Sequence, residues 1–132
     1  MKKILLTALC ITSLLSHAEG LPDLGDISQE AISPQQERQI GEQSMLQIRA
    51  DKSYLDDAEV ADYLNVLGSS LVSNSSEPGQ AFEFFAIDDS SINAFAMPGG
   101  FIGVNTGLIL TAQSESELAS VLSHEIAHVT QH

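Results

Sequence analysis

The sequence predicts an α+β domain, and three observations lead to it. Apolar residues recur at helical spacing over residues 33–50, 56–71 and 114–132, each stretch opened by a capping residue. Between the second and third stretches the pattern changes to short runs dense in aromatic and aliphatic residues, broken by Pro98-Gly99-Gly100. No internal repeat or low-complexity segment competes with this reading.

The first residues stand apart from the fold. Met1-Lys2-Lys3 is basic, Ile4 to Leu15 is an almost unbroken apolar run, and Ser16-His17-Ala18 places small residues where a signal peptidase reads. This layout predicts a bacterial secretory signal over residues 1–18, cleaved after Ala18. The apolar run falls short of the roughly 20 residues that span a bilayer. Cys10 follows the bulky Leu9 and is a poor lipid-attachment site; it leaves with the signal, so the exported chain has no cysteine and no disulfide.

Residues 19–32, rich in glycine, proline and acids, predict an extended N-terminus without regular structure. Ser33-Pro34 then opens a helix running to about Ala50, with Gln36 completing a capping box and Ile40, Met45, Leu46 and Ile48 on its inner side. A second helix starts at Asp56 or Asp57 and lines up Val60, Tyr63, Leu64, Leu67 and Leu71 in one stripe. Residues 73–80 are a loop. Phe82 to Ile87 is a strand, and Asn93 to Met97 and Phe101 to Asn105 form a hairpin around the Pro98-Gly99-Gly100 turn. Thr106 to Thr111 is a short helical turn. Ser114 caps the last helix, with Glu117 closing a second capping box.

Charge removes one class of function. Lys2 and Lys3 leave with the signal, so only Arg38, Arg49 and Lys52 oppose eighteen acids. Such a surface repels phosphate backbones, which excludes nucleic acid as a partner. His132 falls inside a helical pattern with no glycine or proline after it. Residues 33–132 are therefore expected to be the N-terminal part of a longer, incomplete domain.

The last helix carries the chemistry. Leu118, Leu122, Ile126 and Val129 form its core-facing stripe, while His124 and His128 project from another face, one above the other. Four residues rise about 6 Å along a helix, which lets both imidazoles reach one metal ion. Glu125 lies a step around the helix, beside such a metal rather than on it. Two neutral imidazoles suit Zn2+, which lowers the pKa of a bound water and polarises a peptide carbonyl. Glu125 is then placed to take the water's proton and return it to the leaving amine. Two histidines and a glutamate on a solvated helix face are the plainer alternative, but the chain's three histidines after the signal all fall within its last nine residues. His132 is eight residues beyond His124, about 12 Å along the same axis, too far for bonds of about 2 Å to the same zinc. Asp88 and Asp89 end a strand and are expected to cap its turn. The third ligand is expected beyond residue 132.

Read together, Asn93-Ala94-Phe95-Ala96-Met97-Pro98-Gly99-Gly100 and His124-Glu125-Ile126-Ala127-His128-Val129 closely resemble the zinc metallopeptidases that include the heat-shock protease HtpX and the CAAX prenyl protease. The resemblance implies a zincin-like domain with His124 and His128 as zinc ligands, Glu125 as catalytic base and a glutamate third ligand on a later helix. It also implies that Asn93, Ala94, Phe95 and Ala96 form an edge strand that pairs with an extended substrate, adding a strand to the sheet. With the signal, it points to the periplasm of a Gram-negative bacterium. The expected partners are unfolded or misassembled polypeptides, outer-membrane proteins among them, and the machinery that assembles these. The alternative from a different class is an exported chaperone-like binding module, whose edge strand holds unfolded chains without cutting them because the third ligand is absent.

Overall fold

The computed structural model describes residues 32–131. The secretory signal expected at 1–18, all but Ile32 of the extended segment expected at 19–32, and His132 lie outside the described residues. Four helices and a three-stranded sheet make up the described part, an α+β arrangement as the sequence predicts.

Helix α1 spans Pro34–Ala50. The Ser33 hydroxyl accepts from the Gln36 amide at 3.2 Å, and the Gln36 side chain accepts from the Ser33 amide at 3.0 Å, so the predicted capping box is closed. Its buried face differs from the expected one. Gly41 and Met45 are buried and Ile48 is partly so, whereas Ile40 and Leu46 are 43% and 68% exposed. Close approach decides the rotation: a Cβ at Gly41 would collide with the Pro98 carbonyl and the Phe101 ring, so the helix rests on the sheet along its glycine. Hydrophobicity alone did not mark that face.

Helix α2 spans Ala58–Ser73, with the Asp57 carboxylate accepting from the Glu59 and Val60 amides. Leu64 and Val72 are buried, and Val60, Leu67 and Leu71 pack against the same cluster. Tyr63, expected in that stripe, is 44% exposed. Its hydroxyl donates to Glu115 at 3.1 Å, which draws the ring out of the stripe toward the last helix.

Strands β1 (Glu83–Ile87), β2 (Ala94–Met97) and β3 (Phe101–Asn105) form the sheet in the order β1-β3-β2. β3 is central, fully buried, parallel to β1 and antiparallel to β2. The β2–β3 hairpin turns at Pro98-Gly99-Gly100, where φ of 86° and 83° at the two glycines supplies the left-handed backbone the sequence pointed to. Side-chain alternation sorts the core into two layers. Phe84, Ala86, Ala94, Ile102 and Val104 face Leu64, Val72, Leu118, Leu122 and Ile126. On the other face Phe85 and Phe101 pack with Met45 of α1.

The two outer edges of the sheet differ. Along β1, the Asn65 side chain bonds both backbone groups of Phe84, the Leu55 amide donates to the Ala86 carbonyl at 3.1 Å, and the Asp88 amide donates to the Ser53 carbonyl at 2.6 Å. That edge is sealed. The outer edge of β2 carries no strand among the described residues.

Helix α3 (Thr106–Thr111) follows β3 directly, and α4 spans Glu115–Thr130 with Ser114 as its N-cap. The Ser114 hydroxyl accepts from the Glu117 amide at 3.3 Å, but Glu117 returns its bond to the Gln113 amide at 2.7 Å. The expected second capping box is thus shifted by one residue. The helix ends at Thr130, with Gln131 as its C-cap. Among the described residues no helix is long and apolar enough to cross a membrane.

Candidate metal centre

Burial of Leu118, Leu122 and Ile126 fixes the rotation of α4. With that stripe against the sheet, His124 and His128 are exposed and Glu125 is half-buried between the two faces. The two imidazoles converge: their Nε2 atoms lie 3.0 Å apart, with ring centroids at 4.5 Å and ring planes at 83°. Two nitrogens bound to one tetrahedral ion at about 2.0–2.1 Å stand roughly 3.3 Å from each other. The pair is therefore close to the spacing of two ligands on one zinc, and the residue types fit that ion. Without metal the same contact is a hydrogen bond whose direction depends on the tautomer. Among the described residues no third histidine, cysteine, aspartate or glutamate joins them in a ligand group.

Asp88 and Asp89 behave as the sequence suggested. The Asp89 carboxylate accepts from the Ser91 amide at 2.8 Å, and the Thr106 hydroxyl donates to Asp88 at 3.4 Å. The backbone and side-chain bonds from Ser91 hold the Asp89 carboxyl below its ordinary value.

The hairpin brings the expected substrate strand to the same side of the sheet as α4, since Ala94 packs in one cluster with Leu122 and Ile126. The four residues singled out in it divide into two pairs. The Asn105 amide donates to the Asn93 carbonyl at 3.0 Å, which fixes the parity of the β2–β3 ladder. In an antiparallel pair such positions alternate, so Asn93 and Phe95 turn their backbone groups toward β3. Ala94 and Ala96 turn theirs to the open edge. The Phe95 ring packs on the opposite face, edge-on to Phe85 at 6.0 Å. Ala94 and Ala96 put only methyl groups on the α4 face, and Ala96 is exposed there.

Two residues escaped the sequence reading. Asn65 seals the β1 edge, and Arg38 holds the hairpin. The Arg38 guanidinium donates to the Gly99 carbonyl at 3.0 Å, lies 4.2 Å from the centre of the Phe101 ring, and approaches Glu42 at 3.3 Å and Glu83 at 3.8 Å. The one available signal for Arg38 was the rarity of basic residues; Asn65, a polar residue in an amphipathic helix, gave none.

Comparison with known proteins places this arrangement. The model of peptidase family M48 matches residues 58–132, more than half of the chain. The chain belongs to that family. It is 40% identical over 114 residues to the beta-barrel assembly-enhancing protease of Escherichia coli strain K12, covering 86% of this chain and 23% of that protein. It is 39% identical over 118 residues to the protein of the same name from Yersinia pestis, covering 89% of this chain and 24% of that one. The mitochondrial metalloendopeptidase OMA1 of Arabidopsis thaliana is 28% identical over 120 residues, 89% of this chain and 25% of its own length. The chain thus spans about a quarter of the length of the curated relatives it matches.

Proposed function

We propose that this chain carries the first half of a zincin-like active site, belonging to a zinc-dependent endopeptidase of the periplasm. His124 and His128 hold the zinc through Nε2, and the 3.0 Å approach of those atoms is the observation that carries this reading. A glutamate on a later helix completes the ligand set, as the family resemblance implies. Zinc bound there supplies Lewis acidity, polarising the substrate carbonyl and making a water molecule more acidic. Glu125, next to the pair on the helix, accepts the proton of the attacking water and passes it to the departing amine. The substrate enters as an extended strand, exchanging backbone hydrogen bonds with Ala94 and Ala96 on the open edge of β2.

The two bacterial relatives are named for enhancing beta-barrel assembly. We take the substrates to be misfolded or stalled outer-membrane proteins, reached through export by the signal at residues 1–18.

Replacement of Glu125 by Gln in the complete gene product tests the roles. The isostere keeps the helix and both imidazoles but removes the base. Zinc content should stay at the wild-type level while zinc-dependent cleavage of casein is lost. Wild-type cleavage rates in Glu125→Gln would refute the assignment.

A further inference from the structure

After residue 18 the chain has three basic residues, Arg38, Arg49 and Lys52, and two of them converge on a single acid. Arg38 and Arg49, both on α1, approach the Glu83 carboxylate at 3.8 and 3.0 Å. Each of the three Arg38 guanidinium nitrogens has a different partner. Nε donates to Glu42 at 3.3 Å, one terminal nitrogen donates to the Gly99 carbonyl at 3.0 Å, and the other faces Glu83. The guanidinium carbon sits 4.2 Å above the centre of the Phe101 ring. All three nitrogens are engaged inside the fold, which makes Arg38 a holder of the hairpin rather than a contact for substrate.

The part it holds is the tip of the edge strand. Gly99 and Gly100 take φ of 86° and 83°, backbone that glycine enters and leaves easily. Just before the tip, Ala94 and Ala96 turn their backbone groups to the open edge, and the fold restrains the two differently. Ala94 is 5% exposed and packs with Leu122 and Ile126. Ala96 is exposed, stands opposite Ile102 in the ladder, and precedes Gly99 by three residues. Three residues of strand measure about 10 Å. Ala96 therefore takes its position from the β3 ladder and from the anchoring of the tip. Two bonds anchor that tip: the Gly100 carbonyl accepts from the Glu83 amide at 2.9 Å, and the Gly99 carbonyl accepts from Arg38.

We infer that Arg38 is a positioning residue for substrate binding. By holding the Gly99 carbonyl it fixes the direction of the exposed end of β2, and so aims the Ala96 amide and carbonyl at an added strand. This rests on the reading of the histidine pair and of β2 given above. Hydrogen bonds weaken steeply as their angle departs from linear. An edge already held in its bound shape also gives up less freedom when a partner pairs with it. Arginine suits this task better than lysine, because its rigid fork meets several acceptors at once while its flat face rests on an aromatic ring.

The test compares two substrates of the complete, zinc-loaded gene product. One is a decapeptide able to lie along β2; the other is a blocked dipeptide with the same scissile bond, too short to do so. The preference for the decapeptide is the ratio of the two kcat/KM values. In Arg38→Ala that preference should fall about tenfold, the size of one or two lost hydrogen bonds. The fall should come through the KM of the decapeptide, with zinc content unchanged. Arg38→Lys should fall in the same direction by less, and it decides the matter if the alanine variant does not fold. Asn65→Ala, which loosens the opposite edge of the sheet, controls for lost stability and should keep the parent's preference. An unchanged preference in a folded Arg38 variant overturns the inference. So does an equal fall in Asn65→Ala, which would trace the effect to general loosening of the sheet. If the parent cleaves neither substrate in a Glu125-dependent manner, the functional reading itself fails, and this inference with it.

Discussion

Asn65 treats the backbone of Phe84 as a neighbouring strand would. Its Oδ1 accepts from the Phe84 amide at 3.0 Å, and its Nδ2 donates to the Phe84 carbonyl at 2.9 Å. A helix side chain thereby closes one edge of a three-stranded sheet, leaving the other edge, β2, available for a new strand. Open edges invite unwanted pairing, and sealing one confines any strand addition to the side that faces α4.

Asn65→Ala should therefore destabilise the fold. It leaves two part-buried backbone groups of β1 without their partner, a loss of about 1–3 kcal/mol. For a domain of this size each kcal/mol lowers Tm by roughly 4–8 °C. Thermal unfolding followed by circular dichroism measures it; an unchanged Tm would show that water replaces the amide without cost.

The open edge makes a sharper prediction at Ala96. Its amide points away from β3, so Ala96→Pro removes a donor that only an added strand would use, and proline is tolerated at such edge positions. Peptide cleavage by the complete gene product should fall about tenfold or more through KM, the size of one or two lost hydrogen bonds, with zinc content unchanged. Normal KM in a folded Ala96→Pro variant would mean that substrate does not pair with β2.

Acid sensitivity follows from two turn carboxylates. Ser91 holds the Asp89 carboxyl low through its backbone and side chain, and Ser53 does the same for Asp51 through its side chain and backbone. Both carboxyls bind protons more readily in the unfolded chain, so stability rises with pH across their titration. Their contribution is present above the ordinary carboxylate pKa of about 4 and is lost as pH falls through the lower folded value. In denaturant titrations Asp89→Ala should be less stable than the parent at neutral pH, and the gap should close in acid. A gap that persists at the lowest pH at which the chain still folds would show that the carboxylate's charge is not what stabilises the turn.

Most of the helices and the hairpin were legible because local chemistry specifies them. Ser33, Asp57 and Ser114 cap where capping residues must, and the paired glycines at 99 and 100 announce the turn. The histidine pair was legible for the same reason: both ends of the motif lie on one helix, and four-residue spacing fixes their relation. What escaped depended on tertiary contact. The rotation of α1 follows from the Gly41–Phe101 approach, which no periodicity in α1 records. The parallel pairing of β1 with β3 joins segments that are not neighbours in sequence. The division of Asn93 to Ala96 into inward and outward backbone pairs needed the ladder's register, which the Asn93–Asn105 bond supplies.

The central claim is that His124 and His128 bind one zinc ion together. X-ray absorption at the zinc edge of the complete gene product reads the ligands directly. The account predicts two imidazole nitrogens at about 2.0–2.1 Å, falling to one in either His124→Ala or His128→Ala. A zinc shell without imidazole, or one that neither substitution alters, would contradict it.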